Sequence, residues 1–508
     1  MRQSNRVILA TIVASTLVAS LIGCSASSGT SGPNGTPASA GLTAGPGHAP
    51  TSARLLGGQP MTLCTVGDVP AICGMLQVPE DPAKPAGRQV GLHVAVVPTL
   101  AAVAAPDPLF ALAGGPGGAA SEQFGWLPGR FADIHATRDI VLVDQRGTGG
   151  SNPLTLPNVP DTSGLSAAQA SAALVAWAKT ALAALDADPR TYTSSVAADD
   201  LDAVRAALGY DRIDLYGPSY GGTLAQYYLR QFSQHVRVAV LDGSTPLDVP
   251  LFERVAPNSQ HALDLVLQRC AADAACHAAY PNPAGELAHL LSQLARPITT
   301  NIKDPVTGAS AVIDKVTVEL GIHQALLTSA TAALLPQAIH LADTGRWDLV
   351  AELMATPSES APNLLMAQLI RCSESWARFD PAITTNLGAG SYVLDAELDI
   401  AQARAAVCRV LPRGEVPADD AAPVRAAIPV LWVVGDADPQ DPPANLAAVP
   451  SQLTDSRIVV VPGQGHTVGH LGCMPSIIGA FVVAGSAAAL DTSCVEYDGV
   501  PTPTFAVP

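Results

Sequence analysis

Ser219 stands in Gly217-Pro218-Ser219-Tyr220-Gly221-Gly222, after the apolar run Ile213-Asp214-Leu215-Tyr216 and before a helix-like stretch, Thr223 to Phe232. Gly-x-Ser-x-Gly at a strand-to-helix turn lifts a serine hydroxyl above a sheet edge and sets it at a helix N-terminus. The turn is so tight that residues beside the serine must be nearly free of side chain, and Gly217 and Gly221 meet that demand. A serine hydroxyl is a weak nucleophile and needs a base to take its proton and an acid to orient that base. Gly435-Asp436-Ala437-Asp438-Pro439 follows one buried strand pattern and Gly463-Gln464-Gly465-His466 follows the next, which gives the chain order Ser, Asp, His. Asp438 is taken as the acid over Asp436, because it lies further past the strand and Pro439 stiffens the turn after it. His466 is taken as the base; His470, one helical turn later, would face elsewhere. A tetrahedral oxyanion needs backbone N–H donors. Tyr220 supplies one, and Gly115 of Gly114-Gly115-Pro116-Gly117-Gly118 the other, since Pro116 has no N–H to give.

The elements that must hold these residues read as alternating strands and helices. Leu76 to Pro79, Val90 to Pro98, Leu109 to Ala113 and Asp139 to Val143 are strand-like; Ala167–Leu185 and Val196–Leu208 are helical; Val236 to Leu241 is a further strand. This alternation implies an α/β fold with a mostly parallel sheet flanked by helices. From 250 to 423 the pattern turns to Ala- and Leu-rich helical segments such as Ser259–Cys270, Val318–Ala333 and Ala401–Val410, read as an inserted helical cap. Ile428 to Val434 and Arg457 to Val461 restore the strands, so the catalytic body is split into 59–249 and 424–508.

The chain has 508 residues, 48% apolar and 14% charged, with a net charge of −17. That balance supports a large core and argues against nucleic-acid binding, which needs basic surface. The acidity serves solubility, with attraction of cationic substrates such as free peptide amino termini as the functional alternative. Arg2 and Arg6 precede an apolar run from Val7 to Ile22, too short for a comfortable membrane span. The run ends in Leu21-Ile22-Gly23-Cys24, which resembles a bacterial lipobox. The expectation is a signal peptide over 1–23, a lipidated Cys24 and anchorage to the outer face of the cell membrane. A Ser/Gly/Thr/Pro/Ala-rich tether covers 24–58, with no apolar face to bury. Of nine cysteines, those left after Cys24 are Cys64, Cys73, Cys270, Cys276, Cys372, Cys408, Cys473 and Cys494. An even set in an exported protein reads as disulfides. Neighbours in sequence point to Cys64–Cys73, Cys270–Cys276, Cys372–Cys408 and Cys473–Cys494, among about 105 pairings that eight cysteines allow. No Cys-x-x-Cys and no adjacent histidine cluster suggests a zinc site, and no metal or other cofactor is expected.

Gly114-Gly115-Pro116-Gly117, Asp144-Gln145-Arg146-Gly147-Thr148-Gly149-Gly150-Ser151 and the Ser219 elbow together resemble the prolyl iminopeptidase and tripeptidyl aminopeptidase group of α/β-hydrolases. The tail, with His466 followed by Cys473 and Cys494, looks like the C-terminal region of secreted tripeptidyl aminopeptidases. The resemblance runs from about Thr62 to Cys494 and is thin across the cap. It implies an α/β-hydrolase fold with an inserted cap, and a serine peptidase that removes one or three residues from free peptide N-termini. Ala113 departs from the histidine that many prolyl iminopeptidases carry before Gly-Gly-Pro-Gly, which favours the tripeptidyl branch or a relative of other specificity. Arg146 is expected to brace the loop under the site. Glu374, in Arg371-Cys372-Ser373-Glu374-Ser375-Trp376, is the candidate for holding the substrate ammonium, against a solvated surface acid as the alternative.

Two other functions fit part of this pattern. A carboxylesterase or lipase would use the same triad, and dependence on a free amino terminus separates it from an exopeptidase. A non-catalytic envelope lipoprotein that binds peptides would not need every triad element.

Overall fold

The computed structural model describes residues 54–508, apart from 155, 161, 163–164, 304–309, 348, 351–362 and 498. The expected leader, Cys24 and most of the expected tether lie outside the described residues. The body begins before residue 59: β1 (Leu55–Leu56) pairs with β2 (Gln59–Pro60), Leu56 is buried, and Arg54 pairs with Asp139. Two leucines are too short a run to stand out in a Gly/Ser/Pro-rich stretch.

The chain continues through β3 (Thr62–Val66), β4 (Val69–Pro79), β5 (Gln89–Val97), β6 (Leu109–Ala111) and β7 (Ile140–Val143). It then forms β8 (Ile213–Pro218), β9 (Val236–Asp242), the ribbon β10 (Ile298–Lys303) with β11 (Ser310–Ile313), β12 (Val430–Gly435) and β13 (Ser456–Val461). One nine-stranded sheet has the order β13-β12-β9-β8-β6-β7-β5-β4-β3. Strands β6, β7, β8, β9, β12 and β13 run parallel, and β3, β4 and β5 join antiparallel at one edge.

Strands β6, β7 and β12 are continuous apolar runs because both faces of the sheet are covered. Val141 and Val143 enter one core with the helices Ala167–Ala184, Ser194–Ala207 and Tyr220–Phe232, while Ile140 and Leu142 enter the other with Met474–Ala484. Trp432 and its neighbours Leu431 and Val433 divide between the two cores in the same way. The period of two along a strand puts each core in register across the sheet.

The insertion between β9 and β12 has two parts. Its first part, with the helices Leu251–Ala272, Pro283–Gln293, Lys315–Leu326 and Leu335–Asp343, builds a separate apolar core. The β10–β11 ribbon belongs here, a strand pair that the Ala- and Leu-rich pattern around it obscures. The second part, with the helices Leu364–Ser373 and Leu394–Cys408, shares the core of the sheet: Leu365, Leu369 and Val407 cluster with Trp177 and Leu224. All four neighbour pairings of the cysteines are joined, and Cys372–Cys408 ties those two helices together.

Candidate active site

Strand β8 runs into the helix Tyr220–Phe232 through Ser219, whose φ of 53° and ψ of −126° lie where L-residues rarely sit. A Cβ on Gly217 would fall 2.4 Å from the Gly221 backbone, and one on Gly221 would fall 2.1 Å from the Leu112 carbonyl oxygen. Neither position admits a side chain, which is why the elbow reads so plainly in the sequence.

Asp242, the last residue of β9, secures both Ser219 and the loop of His466. Its carbonyl accepts the Ser219 N–H at 2.8 Å. Its carboxylate accepts the N–H groups of Val468 (2.7 Å) and Gly469 (2.9 Å) and the Tyr216 hydroxyl (2.8 Å), so it pins the loop that carries His466. In the sequence Asp242 reads as an ordinary strand end, and its role was not legible there.

Strand β12 delivers Asp438 and β13 delivers His466. Gly435 lets the two loops touch, since a Cβ there would lie 2.1 Å from the Gln464 carbonyl oxygen. His466 Nδ1 lies 2.8 Å from Asp438 Oδ2. Asp438 Oδ1 accepts the N–H groups of Gln440 (2.8 Å) and Asp441 (2.9 Å). Burial works against ionisation of Asp438, but His466 and these N–H donors outweigh it and hold the carboxyl below its ordinary range. Burial pulls His466 down in turn, and Asp438, Asp441 and Asp242 outweigh that and lift it to about 9. The His466 Nε2 is buried and has no hydrogen-bond partner among the described residues. The rivals stand apart: Asp436 accepts the Gly463 N–H at 2.6 Å, and the His470 ring packs 5.8 Å from the Trp126 ring.

A third buried acid was missed in the sequence. Asp441 Oδ2 lies 3.7 Å from His466 Nδ1, and the Thr245 hydroxyl donates to the same carboxyl group. Burial first, and then the charge of Asp438, push Asp441 up to about 7. Between two prolines, nothing in the local pattern says that this side chain turns inward. Asp438, Asp441 and His466 offer ligand atoms within 4.8 Å of one another, the one group of metal-binding type found among the described residues. Asp438 is engaged by His466 and two backbone N–H groups, as an orienting acid requires.

The glycine loop lies over Ser219: a Cβ on Gly114 would sit 3.5 Å from Ser219 Cβ. The Gly114 N–H donates to Gln123 at 2.9 Å. The N–H groups of Gly115 and Tyr220 have no hydrogen-bond partner among the described residues, which leaves them open to an oxyanion.

Ser219, Gly115 and Tyr220 line a cavity of about 90 Å3 whose other wall comes from the insertion, including Phe252, Arg371, Glu374 and Arg378. Glu374 is buried there rather than solvated at the surface, only 5% exposed. Its carboxylate accepts the Ser194 N–H (2.7 Å) and the Ser194 hydroxyl (2.9 Å). Ser194 Oγ meets the Tyr220 hydroxyl at 2.8 Å, and Gln145 Nε2 donates to that hydroxyl at 3.1 Å. The Asp-Gln-Arg-Gly stretch thus reaches the acid of the insertion through Tyr220 and Ser194. Burial pushes Glu374 up to about 8, with Ser194 opposing. Arg146 is fully buried: it forks onto Asp200 at 2.7 Å and donates to the carbonyls of Glu80, Thr191 and Pro79, all contacts that brace a loop.

Known proteins are similar to parts of this chain. The family described as the alpha/beta hydrolase fold matches residues 107–311, and the family described as TAP-like protein matches 396–494. The chain is similar to "Serine protease Hip1" of Mycobacterium tuberculosis (strain ATCC 25618 / H37Rv), 29% identical over 46% of this chain and 48% of that protein. It is similar to "Tripeptidyl aminopeptidase" of Streptomyces lividans, 30% identical over 34% of this chain and 35% of the relative. It is also similar to "Proline iminopeptidase" of Lactobacillus delbrueckii subsp. lactis, 27% identical over 39% of this chain and 57% of the relative. The chain spans about half the length of the Hip1 protein it matches, 48%. A mostly parallel sheet with the serine at the turn after β8 and an insertion before the strand that precedes Asp438 give the chain the α/β-hydrolase fold, and its residues 396–494 are similar to the TAP-like family.

Proposed function

We propose that this protein is a serine exopeptidase that hydrolyses peptides from a free amino terminus through an acyl-enzyme on Ser219. One observation carries the reading: the cavity beside Ser219 is walled on its far side by a buried carboxyl group, Glu374, within the insertion. In this reading His466 Nε2 takes the Ser219 proton, and Asp438 holds the imidazole and offsets its charge once protonated. The N–H groups of Gly115 and Tyr220 bind the oxyanion, and His466 returns the proton to the leaving amine. Water then attacks the acyl group by the same route. Glu374 receives the substrate ammonium, whose charge favours the ionised carboxylate that burial opposes. The names of the similar proteins, serine protease, tripeptidyl aminopeptidase and proline iminopeptidase, support peptides as the substrate class.

The test compares fluorophore release from Ala-Pro-Ala-aminocoumarin and from its N-acetylated twin, with Ser219→Ala as control. Cleavage of the free form alone, lost in the variant, is the expected result. Equal cleavage of both, or turnover of nitrophenyl esters with neither peptide cleaved, replaces the reading with a carboxylesterase. We further propose export and lipid anchorage through Cys24, supported by Leu21-Ile22-Gly23-Cys24 and by disulfides suited to an oxidising compartment. Cys24→Ala is expected to release the protein from membranes, and unchanged partitioning overturns the anchor.

A further inference from the structure

Arg371 lies one helical turn before Glu374 and lines the same cavity, but its charge is handled differently. It is only 5% exposed. One Nη2 N–H donates to the Gly115 carbonyl at 3.2 Å, its one hydrogen bond among the described residues. Among the described residues its Nε is buried without a partner and no carboxylate lies within ion-pair distance. Glu374, whose carboxylate accepts from Ser194, makes no ion pair with it. The neighbouring cations are provided for: Arg378 lies 3.5 Å from Asp420, and Arg404 stacks over Phe252 and Trp376 with centroid distances of 4.6 and 5.2 Å. Burial, with Arg404 adding repulsion, pushes Arg371 down to about 9, so the surrounding protein gives this charge little support.

A buried guanidinium without an acid is costly, and its five-donor fork matches a carboxylate in shape. Its anchor is the carbonyl of Gly115, whose own N–H faces the developing oxyanion in the proposed mechanism. We propose that Arg371 forms a carboxylate-binding subsite, so that preferred substrates carry an anionic carboxylate beside the carbonyl that Ser219 attacks. This rests on the cavity being the substrate site. Two sources share this chemistry: an acidic side chain on the residue that supplies the scissile carbonyl, and the C-terminal carboxylate of a one-residue leaving group. With Glu374 taking the ammonium, the cavity then selects short peptides that are charged at both ends or acidic near the cut.

The test is calorimetric binding to Ser219→Ala protein, in which nothing turns over. Ala-Pro-Glu-Gly-amide is set against Ala-Pro-Gln-Gly-amide, and Ala-Pro-Ala-Gly as free acid against its amide. One pair should split in Kd by about tenfold or more, the usual weight of a hydrogen bond to a charged group. The pair that splits names the source of the carboxylate. Adding Arg371→Met should erase that split, and Arg371→Lys, which keeps charge without the fork and guards against a misfolded Met variant, should shrink it. If Arg371 merely props up Gly115, the variants weaken all four peptides equally. That result, the absence of any split, a split that survives Arg371→Met, or no binding by any peptide overturns the proposal. An esterase outcome in the aminocoumarin comparison leaves this binding split readable, so the two readings fail separately.

Discussion

The two walls of the cavity treat charge in opposite ways. On the sheet side, each ionisable group of the proposed machinery has its partners in place: Asp438 holds His466 and two N–H groups, and Asp242 clamps the histidine loop. On the insertion side, Glu374 is raised well above the usual carboxylate range and Arg371 has no acid partner among the described residues. The contrast separates two tasks. Groups that stabilise a transition state gain from being fixed beforehand, whereas groups that select a substrate gain from leaving their compensation to the ligand.

The largest expected effect would break the sheet side of this contrast. Asp438→Asn should lower kcat by about 10,000-fold, the scale seen when a triad acid loses its charge. Asp441→Asn, 3.7 Å from the same nitrogen, should cost far less. Equal losses in steady-state kinetics would make the two acids a shared device. Next is pH. His466 must be neutral to accept a proton and sits at about 9, so kcat/KM for a neutral nitrophenyl ester should rise about 50-fold from pH 7 to 9 and level above that at about 100-fold. A free-amino peptide should instead show a peak, because its ammonium is lost near pH 8, at about 7.7–8.0. An ester profile already flat at pH 7 would show that Asp438 does not hold the proton on His466 in the free enzyme.

On the insertion side, Glu374→Gln should raise KM for free-amino peptides by about tenfold and leave ester turnover alone. Identical changes for both substrates would place Glu374 among the supports of Tyr220. Smallest is the staple behind that wall: replacing Cys372 and Cys408 together by alanine should cost about 3–4 kcal/mol of stability for a 36-residue separation. The melting temperature should fall, with KM affected more than ester kcat. A loss of ester kcat as large as that of Asp438→Asn would contradict the division of labour.

The sheet side was also the more legible in sequence. Gly217, Gly221 and the glycines at 435 and 465 are forced by backbone contacts of 2.1 to 2.6 Å, and such constraints are written as residue type next to the functional side chain. Buried parallel strands give mostly apolar runs, unbroken in β7 and β12 and interrupted by single charged residues in β8 and β9, so all four are legible. Asp242, Asp441 and Arg371 owe their roles to contacts with segments far along the chain, and no local spacing records those. The division of the insertion was hidden for a similar reason. Leu365 and Val407 are apolar positions on helices whichever core they enter, and only the tertiary arrangement sends them to the core of the sheet. Glu374 is marked in the sequence by resemblance alone, while its burial comes from packing against Ser194.

The backbone N–H of His466 donates to Leu327 at 2.8 Å, and a Cβ on Gly465 would lie 2.6 Å from the carbonyl oxygens of Leu326 and Leu327. His466 of the sheet domain therefore rests on the end of a helix that belongs to the insertion. An insertion of this kind cannot be exchanged as a cassette. A graft from another hydrolase, chosen to carry a new pocket, would arrive without the carbonyl that seats the histidine, and the new specificity would come with a misplaced base. Retuning this chain is better attempted residue by residue along the cavity wall, with the Leu326–Leu327 turn left as it stands.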